Sequence, residues 1–158
     1  MTENLQVLFR PLQDGNDINE FEKTEERTSD EPWDRFKLTK ALENSPGLNI
    51  RLLQTSVHSN YKDAVPILTV GHSIWQVFEK SISLLNIAVR PGLQRQGYGH
   101  YMIDYLLRIH NKDIDVIVNE ENTGALLFLS DLNFKAENVL RDLFDDRDGI
   151  EMVYHTSG

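Results

Sequence analysis

The stretch from Leu84 to Ile109 constrains the fold most, because it joins an apolar run, a glycine-rich turn and an amphipathic segment. The apolar run up to Val89 predicts a buried strand, which Arg90-Pro91-Gly92 ends. Apolar residues then recur at helical spacing over residues 102–107. A strand that enters a helix through glycines aims several backbone N–H groups in one direction, at the positive end of the helix. The stretch therefore predicts a site for a phosphate or pyrophosphate.

The spacing of the glycines decides which known phosphate-binding motif the turn can match. The turn reads Gln94-Arg95-Gln96-Gly97-Tyr98-Gly99. A P-loop is excluded because no Gly-Lys-Ser/Thr follows, and the dinucleotide fingerprint is excluded because its third glycine position is Met102. The turn does fit Gln/Arg-x-x-Gly-x-Gly/Ala through Gln94, Gly97 and Gly99. With Leu85–Pro91 in front of it, the stretch resembles the acetyl-CoA-binding motif of the GNAT superfamily of N-acyltransferases. A tight strand-to-helix turn without a ligand is the alternative interpretation.

Composition bounds the class of protein. The 158 residues are 40% hydrophobic and 26% charged, which is typical of one globular domain spanning residues 1–158. We expect a cytoplasmic protein, because no apolar run is long enough for a membrane span and the start is not a signal peptide. The absence of cysteine excludes disulfides and thiolate metal sites. The net charge of −9 disfavours nucleic acid and anionic membranes as partners.

The order of predicted elements along the chain is β-α-α-β-β-β-α-β-α-β-β. The resemblance implies an α/β fold of the GNAT type, with a central mixed, mostly antiparallel sheet and a V-shaped splay between strands 4 and 5. Asn122 is predicted to begin the last helix, and Asn133 to end it in a left-handed conformation. Strands are predicted at Phe134–Leu143 and Ile150–His155, with an acidic turn between them.

The first half of the chain is predicted with less detail. Asp17 and Glu20 resemble a capping box that opens the first helix, with Ile18 and Phe21 inward. Ser29-Asp30-Glu31-Pro32 predicts a second helix start, with Trp33, Phe36 and Ala41 facing the core. The polar segment Thr24–Asp30 is interpreted as a linker, either a mobile loop on the substrate side or a solvated connection.

Further along, the sequence predicts a strand at Leu48–Gln54, a polar hairpin turn at Thr55–Asp63 and a strand at Val65–Phe78, in which Gly71 indicates a bulge. His58 and His72 lack a second ligand at metal spacing. Both are therefore interpreted as structural, and no metal site is predicted.

The resemblance also implies which residues hold acetyl-CoA. Its pantetheine arm pairs with main chain in the manner of an extra strand, at the positions of Ile87, Ala88 and Val89. The pyrophosphate lies on the N–H groups of the turn, which are those of Gln94, Arg95, Gln96, Gly97, Tyr98 and Gly99. Asn122 matches an asparagine of the family that contacts the cofactor, and we expect it to cap its helix as well.

The catalytic positions are where this sequence departs from the family. Many members carry a tyrosine acid five residues before a phenylalanine, and here that position is Leu129. Glutamate bases of the family fall at Ser83 and Ile117, neither of which can accept a proton. The remaining candidates are Tyr154, Glu120 and Asn86, the last by holding a water. A proton path relayed by water alone, or binding of the cofactor without turnover, are the other outcomes.

The function that follows is transfer of an acetyl group from acetyl-CoA to a primary amine by direct attack in a ternary complex. Residues 85–89 and Val139-Leu140-Arg141 with the following acidic turn resemble the ribosomal-protein-alanine N-acetyltransferase branch, which implies a protein N-terminus as acceptor. A small-molecule amine acetyltransferase and a silent acyl-CoA-binding module are the alternatives. The oligomeric state is not predicted.

Overall fold

A computed structural model describes residues 4–29, 31–58 and 67–156. Within these ranges, seven strands and four helices follow in the predicted order. They are β1 Asn4–Pro11, α1 Gly15–Thr28, α2 Arg35–Asn44, β2 Leu48–His58, β3 Ile67–Val77, β4 Ser81–Val89, α3 Tyr98–His110, β5 Asp113–Asn119, α4 Thr123–Asp131, β6 Lys135–Phe144 and β7 Arg147–Tyr154. None of the helices in the described ranges is long and apolar enough to cross a membrane.

The strands form one mixed sheet in the order β1-β2-β3-β4-β5-β7-β6. The pairs β1–β2, β5–β7 and β6–β7 are antiparallel. In contrast, β4 and β5 are parallel, with Ser81–Ser83 in register with Asp113–Asp115 at their first residues. This short parallel pairing fits the predicted V-shaped splay between strands 4 and 5, so the predicted fold class is confirmed.

The contacts divide the chain into two compact units. The first unit comprises Met1–Ile74 and Asn86–Met102, and the second comprises Trp75–Leu85 and Ile103–Gly158. In the first unit, α1 and α2 bury apolar side chains against those of β2 and β3. The buried residues of this core are Phe21, Leu38, Ile50, Leu52 and Ile74, with Leu12, Ile18, Trp33 and Leu48 packed at its margin.

The start of α1 corrects the predicted capping box. Asp14 is the N-cap and accepts a hydrogen bond from the Asp17 N–H at 3.0 Å, so Asp17 lies inside the first turn. The Asp17 carboxylate instead forms a bidentate ion pair with the Arg10 guanidinium, with N–O distances of 2.7 and 2.8 Å. This pairing, despite the cost of burial, lowers the pKa of Asp17. A polar residue that looked like a cap is therefore a buried anchor between β1 and α1.

The predicted linker Thr24–Asp30 was wrong as far as Thr28, Ser29 does lie in the connection after the helix, and Asp30 lies outside the described residues. α1 continues to Thr28, and Thr24 and Glu25 are buried on its inner face. α2 begins only at Arg35, where the Asp34 carboxylate caps it by accepting from the Lys37 N–H at 2.8 Å. This later start places Leu38 in the core and leaves Phe36 70% exposed, against the prediction.

The second unit confirms the predictions for the later elements more closely. The Asn122 side chain accepts from the Ala125 N–H at 3.1 Å and caps α4. Asn133 has φ of 72°, the left-handed conformation predicted for it. The β6–β7 turn is shorter than predicted, because β7 begins at Arg147 and includes Gly149. A Cβ at Gly149 would lie 2.7 Å from Leu143 Cδ2, so a larger residue there would require the Leu143 side chain to move.

The predicted hairpin turn at Thr55–Asp63 was wrong at its start, since β2 extends to His58. Its remainder, together with the predicted strand start at Val65, lies outside the described residues. Nothing is described for the His58 side chain either.

Candidate functional site

The turn after β4 is built largely from its own backbone. The Leu93 N–H donates to the Arg90 carbonyl at 3.0 Å, and Gly92 has φ of 87°. The Gln94 side chain folds back, and its Nε2 donates to the Val89 carbonyl at 3.0 Å. These contacts fix the path of the chain from the end of β4 to the start of α3.

The second half of the turn has the backbone of an anion-binding loop. Arg95 and Gly97 have positive φ, of 64° and 89°. For arginine this conformation is costly, and such strain concentrates at functional sites. Left-handed residues within a turn curve the backbone so that its N–H groups face one concavity, and this one leads into the N-terminus of α3.

Gly97 is exposed, and a Cβ built on it meets no atom within 4 Å. Packing therefore does not demand glycine there; the positive φ favours it, and the open space leaves room for a ligand to approach the backbone. Gln94, Arg95 and Gln96 are also exposed, whereas Tyr98 is half-buried and Gly99 is buried. An open, exposed turn of this conformation fits a pyrophosphate.

The strand that leads into the turn is held closely by its neighbour. A Cβ on Gly71 of β3 would lie 2.2 Å from the Ala88 carbonyl oxygen, so the two backbones approach there as only glycine permits. The Arg90 N–H also donates to the Val70 carbonyl at 2.8 Å. Ala88 and Val89 are buried and Ile87 is half-buried. The bulge at Gly71 and the pairing of Ile87–Val89 with pantetheine stay predictions.

The proposed catalytic residues of the second unit are separated by the sheet register. Tyr154 of β7 is opposite Ile114, whereas Glu120 follows Asn119, which is opposite Gly149. Five residues of strand separate these positions, which is about 17 Å. Glu120 is exposed, and Tyr154 packs edge-on against Phe134 at 5.7 Å. These two side chains therefore cannot act together on one pair of reacting atoms.

The positions that the resemblance assigns to the usual acid and base, Leu129, Ser83 and Ile117, carry neither a phenol nor a carboxylate. Leu129 is 2% exposed and belongs to the core of the second unit, and Ile117 is 44% exposed. The Ser83 hydroxyl donates to Asp115 Oδ1 at 3.0 Å. Burial raises the pKa of Asp115, and the nearby charge of Glu151 adds to the rise. Asp115 is a titratable neighbour of Ser83 that the sequence analysis missed.

The sequence analysis also missed a buried polar cluster in the first unit, formed by Glu25, His72 and Asn86. Glu25 Oε1 accepts from the Trp33 N–H at 3.0 Å and from Asn86 Nδ2 at 2.7 Å. Glu25 Oε2 is 2.8 Å from His72 Nε2. Glu25 is 1% exposed, and the imidazole, 0% exposed, lies 4.1 Å from the Phe21 ring.

Burial by itself would raise the pKa of Glu25, but the hydrogen bond and charge of His72 outweigh it, with help from the Trp33 N–H and Asn86. The pKa of Glu25 is therefore lowered, and the carboxylate is ionised. One signal in the sequence points to this burial. Phe21, Thr24 and Glu25 follow Asp17 at spacings of four, seven and eight, which place all of them on one helix face.

A second polar connection ties α1 to the end of β4. Arg90 pairs with Glu20, and its Nε lies 3.4 Å from Thr24 Oγ1. Arg90 is four residues beyond Asn86, so α1 is bound to β4 on both sides of Ile87–Val89. Within the described part of the chain, no group of His, Asp or Glu side chains is arranged to hold a metal ion.

Comparison with known proteins identifies the family. The Acetyltransferase (GNAT) family matches residues 18–134, and the chain belongs to it. Comparison with curated protein sequences gives no significant match. The family uses acetyl-CoA, which confirms the predicted cofactor.

Three solved structures show the same fold at low identity. The ribosomal-protein-S18-alanine N-acetyltransferase from Escherichia coli is 24% identical, with a TM-score of 0.63 over 97% of this chain and 96% of that one. NAA60 of Arabidopsis thaliana, in complex with a bisubstrate analogue, is 12% identical, with a TM-score of 0.68 over 95% and 99%. A Bacillus subtilis acetyltransferase in complex with CoA is 12% identical, with a TM-score of 0.61 over 96% and 99%.

Proposed function

We propose that this protein is a single-domain cytoplasmic N-acetyltransferase, spanning residues 1–158. It transfers the acetyl group of acetyl-CoA to a primary amine, and we favour the N-terminus of a protein. The observation that carries the proposal is the turn Gln94–Gly99, with positive φ at Arg95 and Gly97 and open space over Gly97. Membership of the GNAT family supports acetyl transfer as the reaction class.

The residues that hold the cofactor in this proposal form two sets. The backbone N–H groups of Gln94–Gly99 bind the pyrophosphate, with the positive end of α3 adding to the attraction. The main chain of Ile87–Val89 pairs with the amides of the pantetheine arm. Asn122 contacts the cofactor in addition to capping α4. Bound acetyl-CoA supplies the acetyl thioester.

The transfer proceeds by direct attack in a ternary complex. The neutral amine nitrogen bonds to the acetyl carbon as the carbon–sulfur bond breaks, the amine loses a proton and the thiolate takes one up. Because Ser83, Ile117 and Leu129 offer neither a carboxylate base nor a phenol acid, Asn86 serves by holding a water or the amine, and Glu120 or Tyr154 is the remaining relay. Positioning alone contributes roughly 7–11 kcal/mol in well-oriented reactions, so water can carry the protons.

The acceptor class is supported by charge and by a relative. The net charge of −9 and the exposed Asp145 and Asp146 at the β6–β7 turn suit a cationic acceptor. The Escherichia coli neighbour is an alanine N-acetyltransferase of a ribosomal protein. We therefore favour a peptide N-terminus over a free small amine.

Two measurements test the proposal. Calorimetry with acetyl-CoA should show one site, and unblocked peptides with different first residues, with spermidine beside them, should show which amine is acetylated. Transfer to peptides and not to spermidine supports the N-terminal assignment, and the reverse pattern supports a small-amine enzyme. No acetyl-CoA binding by the folded protein contradicts the proposal.

A silent acyl-CoA-binding module is the second candidate, and a specific observation favours it. Leu129 is buried where many family members carry a tyrosine acid, so the usual proton donor is replaced by part of the core. Tight acetyl-CoA binding without transfer to any amine at any pH would establish the module instead of the enzyme.

A further inference from the structure

The orientation of the Asn86 amide is set by the chemistry of its partner. An ionised carboxylate only accepts hydrogen bonds, so the NH₂ of Asn86 must face Glu25 Oε1, at 2.7 Å. The carbonyl oxygen Oδ1 therefore points away from Glu25. Asn86 Oδ1 is buried and has no hydrogen-bond partner among the described residues. A buried acceptor left in this way costs about 1–3 kcal/mol, which is a reason to expect a bound N–H or O–H donor there.

His72 secures the other oxygen of the same carboxylate. Its Nε2 lies 2.8 Å from Glu25 Oε2, so this nitrogen carries the proton and donates it. The other ring nitrogen, Nδ1, is buried without a partner in the described part of the chain. The hydrogen bond from His72 therefore fixes the carboxylate at its second oxygen.

Glu25 thus joins three separate segments through one immobile group. Its partners are the Trp33 N–H in the α1–α2 connection, His72 on β3 and Asn86 on β4, at separations of 8, 47 and 61 residues. Each carboxylate oxygen is engaged, and Glu25 is buried. Glu20 of α1 also pairs with Arg90, which directly follows β4. The Asn86 amide is therefore held from one side by a group that cannot rotate.

We propose that Glu25 is a positioning residue which fixes the Asn86 amide, so that Asn86 Oδ1 accepts an N–H of the acceptor amine, with His72 anchoring Glu25. The inference rests on the proposed function. Asn86 immediately precedes the Ile87–Val89 segment assigned to the pantetheine arm, so its amide lies at the start of the cofactor strand. A hydrogen bond from the amine to Oδ1 orients the nitrogen lone pair for attack, and the amide itself takes no proton.

The test compares variants that break the chain of contacts at different points. Asn86→Ala removes the acceptor oxygen, Glu25→Leu removes the group that orients it, and Glu25→Gln keeps an oxygen for Trp33 and Asn86. Glu26→Gln, at the exposed neighbouring position on α1, is the matched control. Initial rates with an unblocked alanine-first peptide and with spermidine give kcat and KM, and calorimetry gives the acetyl-CoA Kd.

We expect Asn86→Ala and Glu25→Leu each to lower kcat about tenfold, the equivalent of one hydrogen bond, without changing the acetyl-CoA Kd. Because both act through the same oxygen, the double variant Glu25→Leu/Asn86→Ala should be no slower than Asn86→Ala alone. Glu25→Gln should retain most of the wild-type kcat, and Glu26→Gln all of it. Asn86→Asp keeps an oxygen at this position but cannot donate a hydrogen bond to Glu25, so its kcat should be as low as that of Asn86→Ala. This variant tests the role of Glu25 if Glu25→Leu does not fold.

Three results overturn the inference. The first is that the effects of Glu25→Leu and Asn86→Ala multiply in the double variant. The second is a Glu25→Gln protein as slow as Glu25→Leu, and the third is an Asn86→Asp protein as fast as wild type. In each case wild-type transfer still supports the proposed function. A wild-type protein that binds acetyl-CoA and acetylates none of the probes overturns the proposed function, and this inference with it.

Discussion

Two polar regions of the first unit are built in opposite ways. The turn Gln94–Gly99 is made of backbone held by near neighbours, such as the Gln94 side chain on the Val89 carbonyl five residues away. The Glu25 cluster is made of side chains whose partners are 47 and 61 residues away. The turn is exposed and open, whereas the cluster is buried. The two regions therefore differ in the sequence separation of the residues that form them. Short sequence patterns specify the turn, and tertiary contacts specify the Glu25 cluster.

The largest expected effect tests the local region. Gly97→Glu should weaken acetyl-CoA binding on the order of a thousandfold, because it sets a carboxylate against the pyrophosphate and like charges in contact cost several kcal/mol. Gly92→Glu is the matched control, since its φ of 87° nearly equals the 89° of Gly97 and both positions are open. Backbone strain is then equal in both variants. Calorimetry that shows equal losses for the two variants would remove the pyrophosphate from the turn.

The next effect tests the close backbone contact between β3 and β4, the two strands that carry His72 and Asn86 of the Glu25 cluster. Gly71→Ala should destabilise the fold by about 3 kcal/mol, since its Cβ would overlap the Ala88 carbonyl oxygen and a backbone atom cannot turn aside. Gly124→Ala in α4 is the comparison, because its Cβ meets only Asn122 Oδ1 at 3.9 Å. That change should be neutral or stabilise by up to about 1 kcal/mol. Urea denaturation measures both, and a Gly71→Ala protein as stable as wild type would show that β3 and β4 do not approach this closely.

The same contrast explains how much the sequence could predict. Asn122 and Asn133 at the ends of α4, and the turn before α3, each depend on a few consecutive residues, and these predictions were confirmed or fit the structure. Thr24–Thr28 was misread as part of a linker because a polar segment looks solvated when its partners are unknown. His72 and Asn86, which make burial of Glu25 favourable, are on other strands. The helical spacing from Phe21 to Glu25 was the signal that polarity obscured.

At the catalytic positions, prediction from the sequence was limited in a different way. The residue types at Ser83, Ile117 and Leu129 predict that the usual acid and base are absent, and that prediction rests on the resemblance and not on the structure. The register of β5 with β7, which separates Tyr154 from Glu120, could not be read from either strand alone. Asp115 beside Ser83 was missed for the same reason, since the pair forms only where β4 and β5 run parallel.

A smaller effect concerns acid stability. The pKa of Glu25 is lowered in the folded protein, so its contribution to stability is present above its unfolded value, about 4.5, and is lost as pH falls through the folded value. At pH 7, Glu25→Gln should be less stable than wild type by about 2 kcal/mol, the scale of hydrogen bonds to a charged group. The difference should shrink below pH 4.5. Asp17 and Asp113, whose pKa values are also lowered, are present in both proteins and cancel. A difference that stays constant down to pH 3 would contradict an ionised Glu25.

The smallest expected effect concerns Glu120 and Tyr154, which the sequence made candidates and the sheet places about 17 Å apart. Without a protein base, kcat/KM should rise with pH toward the pKa of the acceptor, near 8 for an α-amine and near 10.4 for lysine, because only the neutral amine attacks. Glu120→Gln should leave this profile unchanged, since the side chain is exposed and follows the end of β5. Tyr154→Phe should lower the rate only modestly, because its ring packs on Phe134 in the wild type and is retained. The profiles are measured with one N-terminal peptide for all three proteins. An inflection near pH 6–7 that disappears in Glu120→Gln would identify Glu120 as the base. The rate of transfer would then depend more on a residue predicted from the sequence than on the buried Glu25 cluster.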